Sequence, residues 1–231
     1  MKKKIAVLTG AGMSAESGIA TFRGSGGLWG KYPVQQVASI DGYYEDPELV
    51  LNFYNERRRE LAEVKPNRGH EILAEMERDY DITIITQNVD NLHERAGSSK
   101  VIHLHGELMK GCSSNNPYDP RFIIDLKSDQ DMKMGDLAGD GSQLRPYIVW
   151  FGEAVPEMET ALPYVQNADV FVIIGTSLNV YPAAGLRDFV SHGTPTYLID
   201  PQQVNMSSKA VTHIQMGASK GVEELKRLLQ K

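Results

Sequence analysis

Apolar residues along this chain fall into short runs separated by polar and glycine-rich turns. Ile5-Ala-Val-Leu-Thr9, Asp81-Ile-Thr-Ile-Ile-Thr86, Val170-Phe-Val-Ile-Ile174 and Thr196-Tyr-Leu-Ile199 are rich in β-branched residues and show little polar alternation. Such runs predict strands buried on both faces. Residues 4–9 form the first, and Val101–Leu104 and Tyr147-Ile-Val-Trp-Phe151 predict two more. Between these runs the spacing shifts to the helical period. Residues 47–64 read as an amphipathic helix with Asp46 as N-cap and Pro47 at its first position. Further helices are expected from near Ser14, from His70 to Arg78 and from Val222 to Leu229. Strands alternating with helices predict an α/β fold, a mostly parallel sheet with helices on both faces.

Residues 110–145 break that rhythm. They carry Gly111, Gly135, Gly139, Gly141, Pro117 and Pro120 among many Asp, Ser and Asn residues, and their apolar periodicity is poor. They read as a small appended module or a long loop. No internal repeat is visible. The 231 residues suit one large domain or a domain with a small lobe, and a 41% hydrophobic content is enough for a core.

The first strand runs into Gly10-Ala-Gly12-Met-Ser14-Ala15-Glu-Ser-Gly18. This is the spacing of a dinucleotide-binding turn, with Ala15 in the third small position. Gly10 would allow the tight turn, Gly12 the approach of backbone N–H groups to a pyrophosphate, and Ala15 close packing of the following helix. A helix N-terminus would face the phosphates with free donors. An ordinary strand-to-helix turn also gathers small residues. A nicotinamide dehydrogenase places an acid about 20 positions on, at the end of a second strand. Here that region is Thr21-Phe22-Arg23-Gly-Ser-Gly-Gly-Leu-Trp29, with no strand and no acid. The turn indicates a dinucleotide, whereas the stretch after it argues against hydride transfer.

Charge and cysteine usage narrow the class. A net charge of −6 argues against binding nucleic acid through its phosphates. The same acidity would not repel lysine-rich peptides, although it serves solubility equally well. Lys2-Lys3-Lys4 precedes an apolar strand too short for a signal peptide or a membrane span. Cys112 is the single cysteine, so no intrachain disulfide framework forms and a cytoplasmic location is expected.

Two further clusters carry candidate chemistry. Thr86-Gln87-Asn88-Val89-Asp90 follows a buried strand, where parallel sheets bind ligands. A polar turn and helix cap would look the same. His103 and His105 are two apart, a spacing that could hold a metal on one strand face, but no cysteine or third histidine follows nearby.

Seven segments in order resemble the sirtuins, NAD-dependent protein lysine deacylases. They are Gly10–Ile19, Thr21-Phe-Arg23, Thr86–Asp90, Leu92-His-Glu-Arg-Ala-Gly97, Leu104-His-Gly106, Trp150-Phe-Gly-Glu153 and Gly175-Thr-Ser-Leu178. The similarity runs from residue 5 to about 185 and more weakly beyond. It implies a Rossmann-like sheet with a small lobe made of two insertions. The large lobe would take about residues 1–19, 69–108 and 146–231, and the small lobe about 20–68 and 109–145.

The resemblance implies NAD as cofactor and acyl-lysine proteins or peptides as partners. Around the first turn it selects Gly10, Ala11, Gly12, Ser14 and Ala15, then Thr21, Phe22 and Arg23. Gln87, Asn88 and Asp90 would contact the ribose and nicotinamide, with Asn88 and Asp90 orienting the reacting end. Gly175, Thr176 and Ser177 would add phosphate or ribose contacts, and Ala218 an adenine-side turn. His105, just before Gly106, becomes the general base, and its ordinary pKa suits that work. His103 reads as structural. The implied reaction starts with attack of the acyl oxygen on C1′ and loss of nicotinamide. It ends with free lysine and acyl-ADP-ribose. A glycine-rich lid at Thr21–Tyr32, with Phe22 and Trp29 as apolar plugs, would exclude water. A protein ADP-ribosyltransferase, an NAD glycohydrolase or a non-catalytic NAD sensor would use the same cleft.

For substrates, Val149, Phe151 and Gly152 would pair with an extended peptide. Tyr54 and Arg57 stand one helical turn apart and resemble the sirtuin subgroup that removes succinyl and malonyl groups. A solvated basic stripe, Arg57-Arg58-Arg59, is the plainer reading of the same residues. Two departures stand out. The zinc-ribbon cysteine pairs of most sirtuins are missing, so no metal is expected. Asp200-Pro201 occupies the place where the family often has an asparagine, which leaves the outer ribose contact open.

Overall fold

The computed structural model describes residues 1–21, 32–176, 178–203 and 211–230. Two sheets organise them. The larger has six parallel strands: β1 (Lys4–Thr9), β2 (Asp81–Thr86), β3 (Val101–His103), β7 (Val170–Ile174), β8 (Thr196–Ile199) and β9 (Val211–Ile214). Their order is β3-β2-β1-β7-β8-β9. The smaller, antiparallel sheet holds β4 (Gly106–Ser113), β5 (Ile124–Asp125) and β6 (Leu144–Ile148) in the order β5-β4-β6.

The central strands match the unbroken apolar runs because both of their faces are covered. Every residue of β7 is buried, and β1 is buried after its first residue. One face packs Val7, Ile84 and Val172 against Leu73, Val222 and Leu225 from helices α5 (Arg68–Met76) and α8 (Ala218–Leu229). The other packs Leu8, Phe171 and Ile173 against Ala161 and Val165 of α7 (Glu157–Gln166) and Leu186. The sheet order reverses direction between β1 and β7, and ligands bind at the carboxyl ends of strands at such a switch point.

Several predicted boundaries moved. The turn after β1 leads only into the single turn α1 (Ala11–Ser14) and a 3-10 turn, Ala15–Ser17, closed by Gly18. Helix α5 starts before His70 because Asn67 caps Gly69 and His70 while the His70 ring returns a bond to the Asn67 N–H. The last helix starts at Ala218, where the Glu16 carboxylate, distant in sequence, accepts from the Ser219 N–H at 3.2 Å. The strand expected at 147–151 instead spans Leu144–Ile148, and Phe151 makes only an isolated bridge to Ser39.

The predicted helix at 47–64 is α4 (Pro47–Glu63), with Asp46 accepting from the Leu49 N–H at 2.9 Å. Together with α2 (Val34–Val37) and α3 (Ile40–Glu45) it builds a second core. Val37, Tyr43, Val50, Phe53 and Tyr54 meet Leu108, Ile148 and Trp150 there. Residues 110–145, expected to be a small appended module or a long loop, carry most of the small antiparallel sheet and are fastened to α4. Asn55 donates to the Met132 carbonyl at 2.9 Å and accepts from the Met132 N–H at 3.0 Å. Arg58 donates to the Gln130 carbonyl at 3.0 Å, and Arg59 pairs with Asp131. Leu51 joins Leu126, Met132 and Leu144 in a small apolar cluster. At the far end, the Ser113 hydroxyl reaches Asp140 at 2.6 Å and Ser142 at 2.9 Å, and it accepts the N–H groups of Asn115 and Asn116.

Among the described residues, no helix is long and apolar enough to cross a membrane, and no cluster of His, Cys, Asp and Glu gathers the ligands for a metal ion.

Candidate active site

The carboxyl ends of β1, β2 and β7 bring the candidate residues together. Glycine permits this crowding. A Cβ on Gly12 would stand 2.6 Å from the Gly175 Cα, and Gly175 itself has φ +59°. Gly10 and Gly12 donate their N–H groups to the carbonyls of Ile174 and Gly175, at 3.0 and 2.8 Å. The glycines thus fuse two loops back to back, with their own N–H groups already taken. Ala15 is exposed and so does not pack a helix onto the sheet.

Behind these loops Ser14 is buried and ties the next group together. Its hydroxyl donates to Asp90 Oδ2 at 2.9 Å and accepts from Asn88 Nδ2 at 3.2 Å. Asn88 Nδ2 also reaches the Gly10 carbonyl at 3.0 Å. Asp90 Oδ1 accepts from the Leu92 N–H at 3.1 Å. Burial pushes the Asp90 pKa up, and the bonds from Leu92 and Ser14 and the charge of His103 only partly offset it. Gln87 Nε2 donates to the Thr176 hydroxyl oxygen at 3.0 Å, which joins the two strand ends across the switch point.

Where β2 ends at Thr86 the regular pairing stops, yet the four successive carbonyls of Thr86–Val89 are satisfied by one stretch of chain. The Leu104 N–H donates to Thr86 O, His105 Nδ1 to Gln87 O, His103 Nδ1 to Asn88 O and the Leu108 N–H to Val89 O. The distances are 2.9, 2.9, 3.1 and 2.8 Å. This stretch is the crossing from β3 of the large sheet to β4 of the small one. Gly106 has φ +80° there, and a Cβ on it would stand 2.2 Å from the Tyr147 carbonyl oxygen.

A carbonyl can only accept, so the Gln87 contact fixes the proton of His105 on Nδ1 and leaves Nε2 with its lone pair. Burial lowers the His105 pKa, with the Gln87 bond acting in the opposite direction. The imidazole is therefore neutral and basic at neutral pH.

The substrate candidates sit on α4 and in the chain that follows β6. Tyr54 is buried, and its hydroxyl oxygen accepts from Trp150 Nε1 at 3.0 Å. Trp150 is held in turn: Arg145 lies over its ring at 4.2 Å, and Glu153 accepts both the Trp150 N–H at 2.9 Å and Arg145 Nη2 at 2.7 Å. Burial raises the Tyr54 pKa strongly, so the hydroxyl keeps its proton. Arg57 lies over the Phe53 ring at 5.2 Å and pairs with Glu60 at 2.7 Å. The backbone of Phe151 is already bonded on one side, its N–H to Ala38 O and its carbonyl to the Ile40 N–H, while its side chain is exposed. Val149 donates its N–H to the His105 carbonyl at 3.0 Å, and Gly152 has φ +94°.

Gly10, Ser14, Gln87, Asn88, Asp90, His105, Gly175 and Thr176 thus come together, with Ala11 in the same turn. Ala218 opens helix α8 beside Glu16, and Thr21 precedes the undescribed stretch. Phe22, Arg23, Trp29 and Ser177 lie outside the described residues, as does most of the proposed lid. Asp200 bonds locally to the Gln202 N–H and to His213. Glu94 and Trp150 fall in segments the sequence singles out, but their contacts, Glu94 with His103 and Trp150 with Tyr54, have no periodic signal and were not foreseen.

Comparison with known proteins agrees with this geometry. The model of the Sir2 family matches residues 10–182. A Bacteroides thetaiotaomicron protein named NAD-dependent protein deacylase is 66% identical over 229 residues, covering 98% of either chain. A Helicobacter pylori protein of the same name is 52% identical over 203 residues, covering 88% of this chain and 86% of its own. Among solved structures, a mutant Sir2 homologue in complex with ADP-ribose superposes with a TM-score of 0.88 at 37% identity, over 99% of this chain and 92% of its own. A Sir2 homologue–NAD complex, also 37% identical, gives 0.84 over 99% and 90%. Matched through most of its length, this chain belongs to the Sir2 family, the sirtuins.

Proposed function

We propose that this protein removes acyl groups from protein lysines at the expense of NAD, releasing nicotinamide and O-acyl-ADP-ribose. The names of its relatives and the NAD and ADP-ribose complexes of similar structures support the dinucleotide. A Sir2 complex with a deacetylated p53 peptide, 31% identical, supports a lysine-bearing peptide as the second substrate. The observation that carries the reading is the tautomer of His105: Nδ1 is committed to the Gln87 carbonyl, so Nε2 is a ready base beside Asn88 and Asp90.

In this reading the dinucleotide supplies a C1′–nicotinamide bond that breaks under attack by the acyl oxygen. Asn88 and Asp90, fixed by Ser14, orient the nicotinamide ribose and carboxamide. His105 Nε2 takes the proton of the ribose 2′-hydroxyl. Gly10, Ala11, Gly12, Ala15, Gln87, Gly175, Thr176 and Ala218 line the rest of the dinucleotide, with Thr21, Phe22, Arg23 and Ser177 completing it. Val149, Phe151 and Gly152 receive the peptide between a large lobe, about 1–19, 69–108 and 146–231, and a small lobe, about 20–68 and 109–145. The work is cytoplasmic.

Tyr54 and Arg57 extend the range from acetyl to succinyl and malonyl groups. Because Tyr54 accepts from Trp150, its own proton stays available to an acyl carboxylate. Arg57 offers a guanidinium, and the acyl carboxylate takes the place of Glu60 on it. Mass spectrometry of acetyl-, malonyl- and succinyl-lysine peptides incubated with NAD tests the proposal. Free lysine and acyl-ADP-ribose are expected. ADP-ribose attached to the peptide, or nicotinamide release without lysine release, would refute it.

A further inference from the structure

His103 stands outside the reaction just described, yet it is the buried ionisable group most tightly tied to it. The ring is 8% exposed. Its Nδ1 lies 3.1 Å from the Asn88 carbonyl and its Nε2 lies 2.7 Å from Glu94 Oε1. Both partners can only accept, because one is a carbonyl and the other a carboxylate. Both ring nitrogens must therefore carry protons, which makes His103 an imidazolium. Two residues on, His105 uses the same Nδ1 on the neighbouring carbonyl and stays neutral. One strand crossing thus presents two histidines of opposite charge state to adjacent peptide groups.

We propose that His103 and Glu94 form a charged clamp that positions Asn88, through its main-chain carbonyl, for the step that releases nicotinamide. The inference rests on the role assigned to Asn88 above. His103 is a positioning residue, since it acts through Asn88. With the clamp closed, the Asn88 carbonyl is fixed by the imidazolium, the Asn88 N–H by the Thr86 hydroxyl at 3.0 Å and the carboxamide by Gly10 and Ser14. When His103 loses a proton, the remaining one stays on Nε2 against Glu94. A nitrogen lone pair then faces the Asn88 carbonyl oxygen, and that contact becomes repulsive.

The charges around the ring favour the closed state. Glu94 and His93 face it from α6 (Leu92–Ala96), Asp90 from the loop and Glu107 from β4. Lys110 pairs with Glu107 at 2.8 Å and acts on Glu94 as well. Burial alone would lower the His103 pKa, but the bond and charge of Glu94 overturn this and raise it. Burial would raise Glu94, and the His103 bond and charge reverse that too. A group raised in the folded state contributes fully below its ordinary pKa and stops contributing as pH rises through the raised value. The clamp therefore opens on the alkaline side, while His105 loses its function as a base on the acid side.

The test compares wild type with Glu94→Gln and His103→Gln in two measurements. In the first, kcat for an acetyl-lysine peptide with NAD is followed from pH 6 to 10. Wild type should lose activity at both ends. Glu94→Gln should move only the alkaline limb, to lower pH. His103→Gln should abolish that limb and lower kcat about 10-fold, the weight of one charge-assisted bond, with KM values within about 2-fold. In the second, 15N-resolved spectra should show the Asn88 amide signals following the titration of His103 in wild type and at lower pH in Glu94→Gln. Melting curves check that the variants fold, and the Glu94→Gln spectra decide the matter if His103→Gln does not. An alkaline limb unmoved in Glu94→Gln, or Asn88 signals that ignore His103, would overturn the clamp. A wild-type protein that turns over no acyl-peptide would sink the deacylase reading instead, and the spectra would still decide whether His103 holds Asn88.

Discussion

Replacing Asn55 by alanine should loosen the segment that stands where most sirtuins carry a zinc ribbon. Asn55 is 2% exposed and makes both a donor and an acceptor bond to the main chain of Met132, which is also 2% exposed. It also accepts from Arg58 Nη2 at 2.5 Å, and Arg58 is fully buried. Alanine would leave the Met132 N–H and carbonyl without partners and take one acceptor from a buried cation. Each stranded backbone group costs about 1–3 kcal/mol. Water entering the space recovers part of this, so a net loss of roughly 2–4 kcal/mol is expected. For a domain of this size that lowers Tm by roughly 4–16 °C. Hydrogen exchange should quicken first around residues 126–136, because the bonds lost are those that hold this stretch to α4. Calorimetry and exchange mass spectrometry on the same preparation provide the check. A Tm within about 1 °C of wild type, with unchanged exchange over 126–136, would show that Asn55 does not hold the lobe.

Four further outcomes follow from the same geometry. With one cysteine in the chain, elemental analysis should find less than one zinc per molecule, and a chelator should leave Tm unchanged. If His105 is the base proposed above, His105→Ala should lower kcat about 10²–10⁴-fold while NAD affinity, measured by calorimetry, stays within a few-fold, because in that role the ring removes a proton and does not anchor the phosphates. Arg57→Met should lower succinyl-peptide kcat/KM about 10- to 150-fold, the weight of one charged hydrogen bond. Acetyl-peptide kcat/KM should change little, and equal losses on matched peptides would make Arg57 structural. Burial pushes the His70 pKa down to about 4 from an ordinary 6.5. The unfolded chain binds that proton first, so stability is present above pH 6.5 and is lost as pH falls toward 4, by about 3 kcal/mol. His70→Gln keeps a capping acceptor for the Asn67 N–H and should flatten that decline in pH-dependent denaturation, although buried His93 adds its own slope in the same direction.

The parts of the fold legible in the sequence are those whose stability comes from burial. β1, β2, β7 and β8 lie near their predicted positions because central parallel strands are covered mostly by apolar neighbours. Helix α4 announces itself by Asp46, Pro47 and its apolar stripe. Residues 110–145 gave no such signal, since their order comes from side chains bonded to distant main chain: Asn55 to Met132, Arg58 to Gln130, Ser113 to Asp140. Those contacts have no period. The start of the last helix was hidden for the same reason, because Glu16 receives the Ser219 N–H across 203 residues. At the site, the motif residues were legible as candidates, but what holds them was not. Nothing in the spacing of Leu92-His-Glu94 says that Glu94 will meet His103 and thereby the Asn88 carbonyl.

The placement of His105 ties the candidate base to both sheets of the fold. The residue lies in the turn between the last residue of β3 and the first of β4, so its main chain joins the two sheets. Its carbonyl accepts from Val149, where the chain returns from the small sheet, and its ring holds Gln87, at the end of β2. Gln87 in turn reaches Thr176 beyond β7. The small sheet approaches the crossing closely at Gly106, where the Tyr147 carbonyl occupies the space a Cβ would need and only glycine fits. The four consecutive carbonyl bonds from this crossing to Thr86, Gln87, Asn88 and Val89 turn the junction into a rigid bracket for the loop that carries Asn88 and Asp90. In a lobe without paired cysteines, the bonds from α4 to Gln130 and Met132 hold the outer part of the sheet whose first strand begins beside His105.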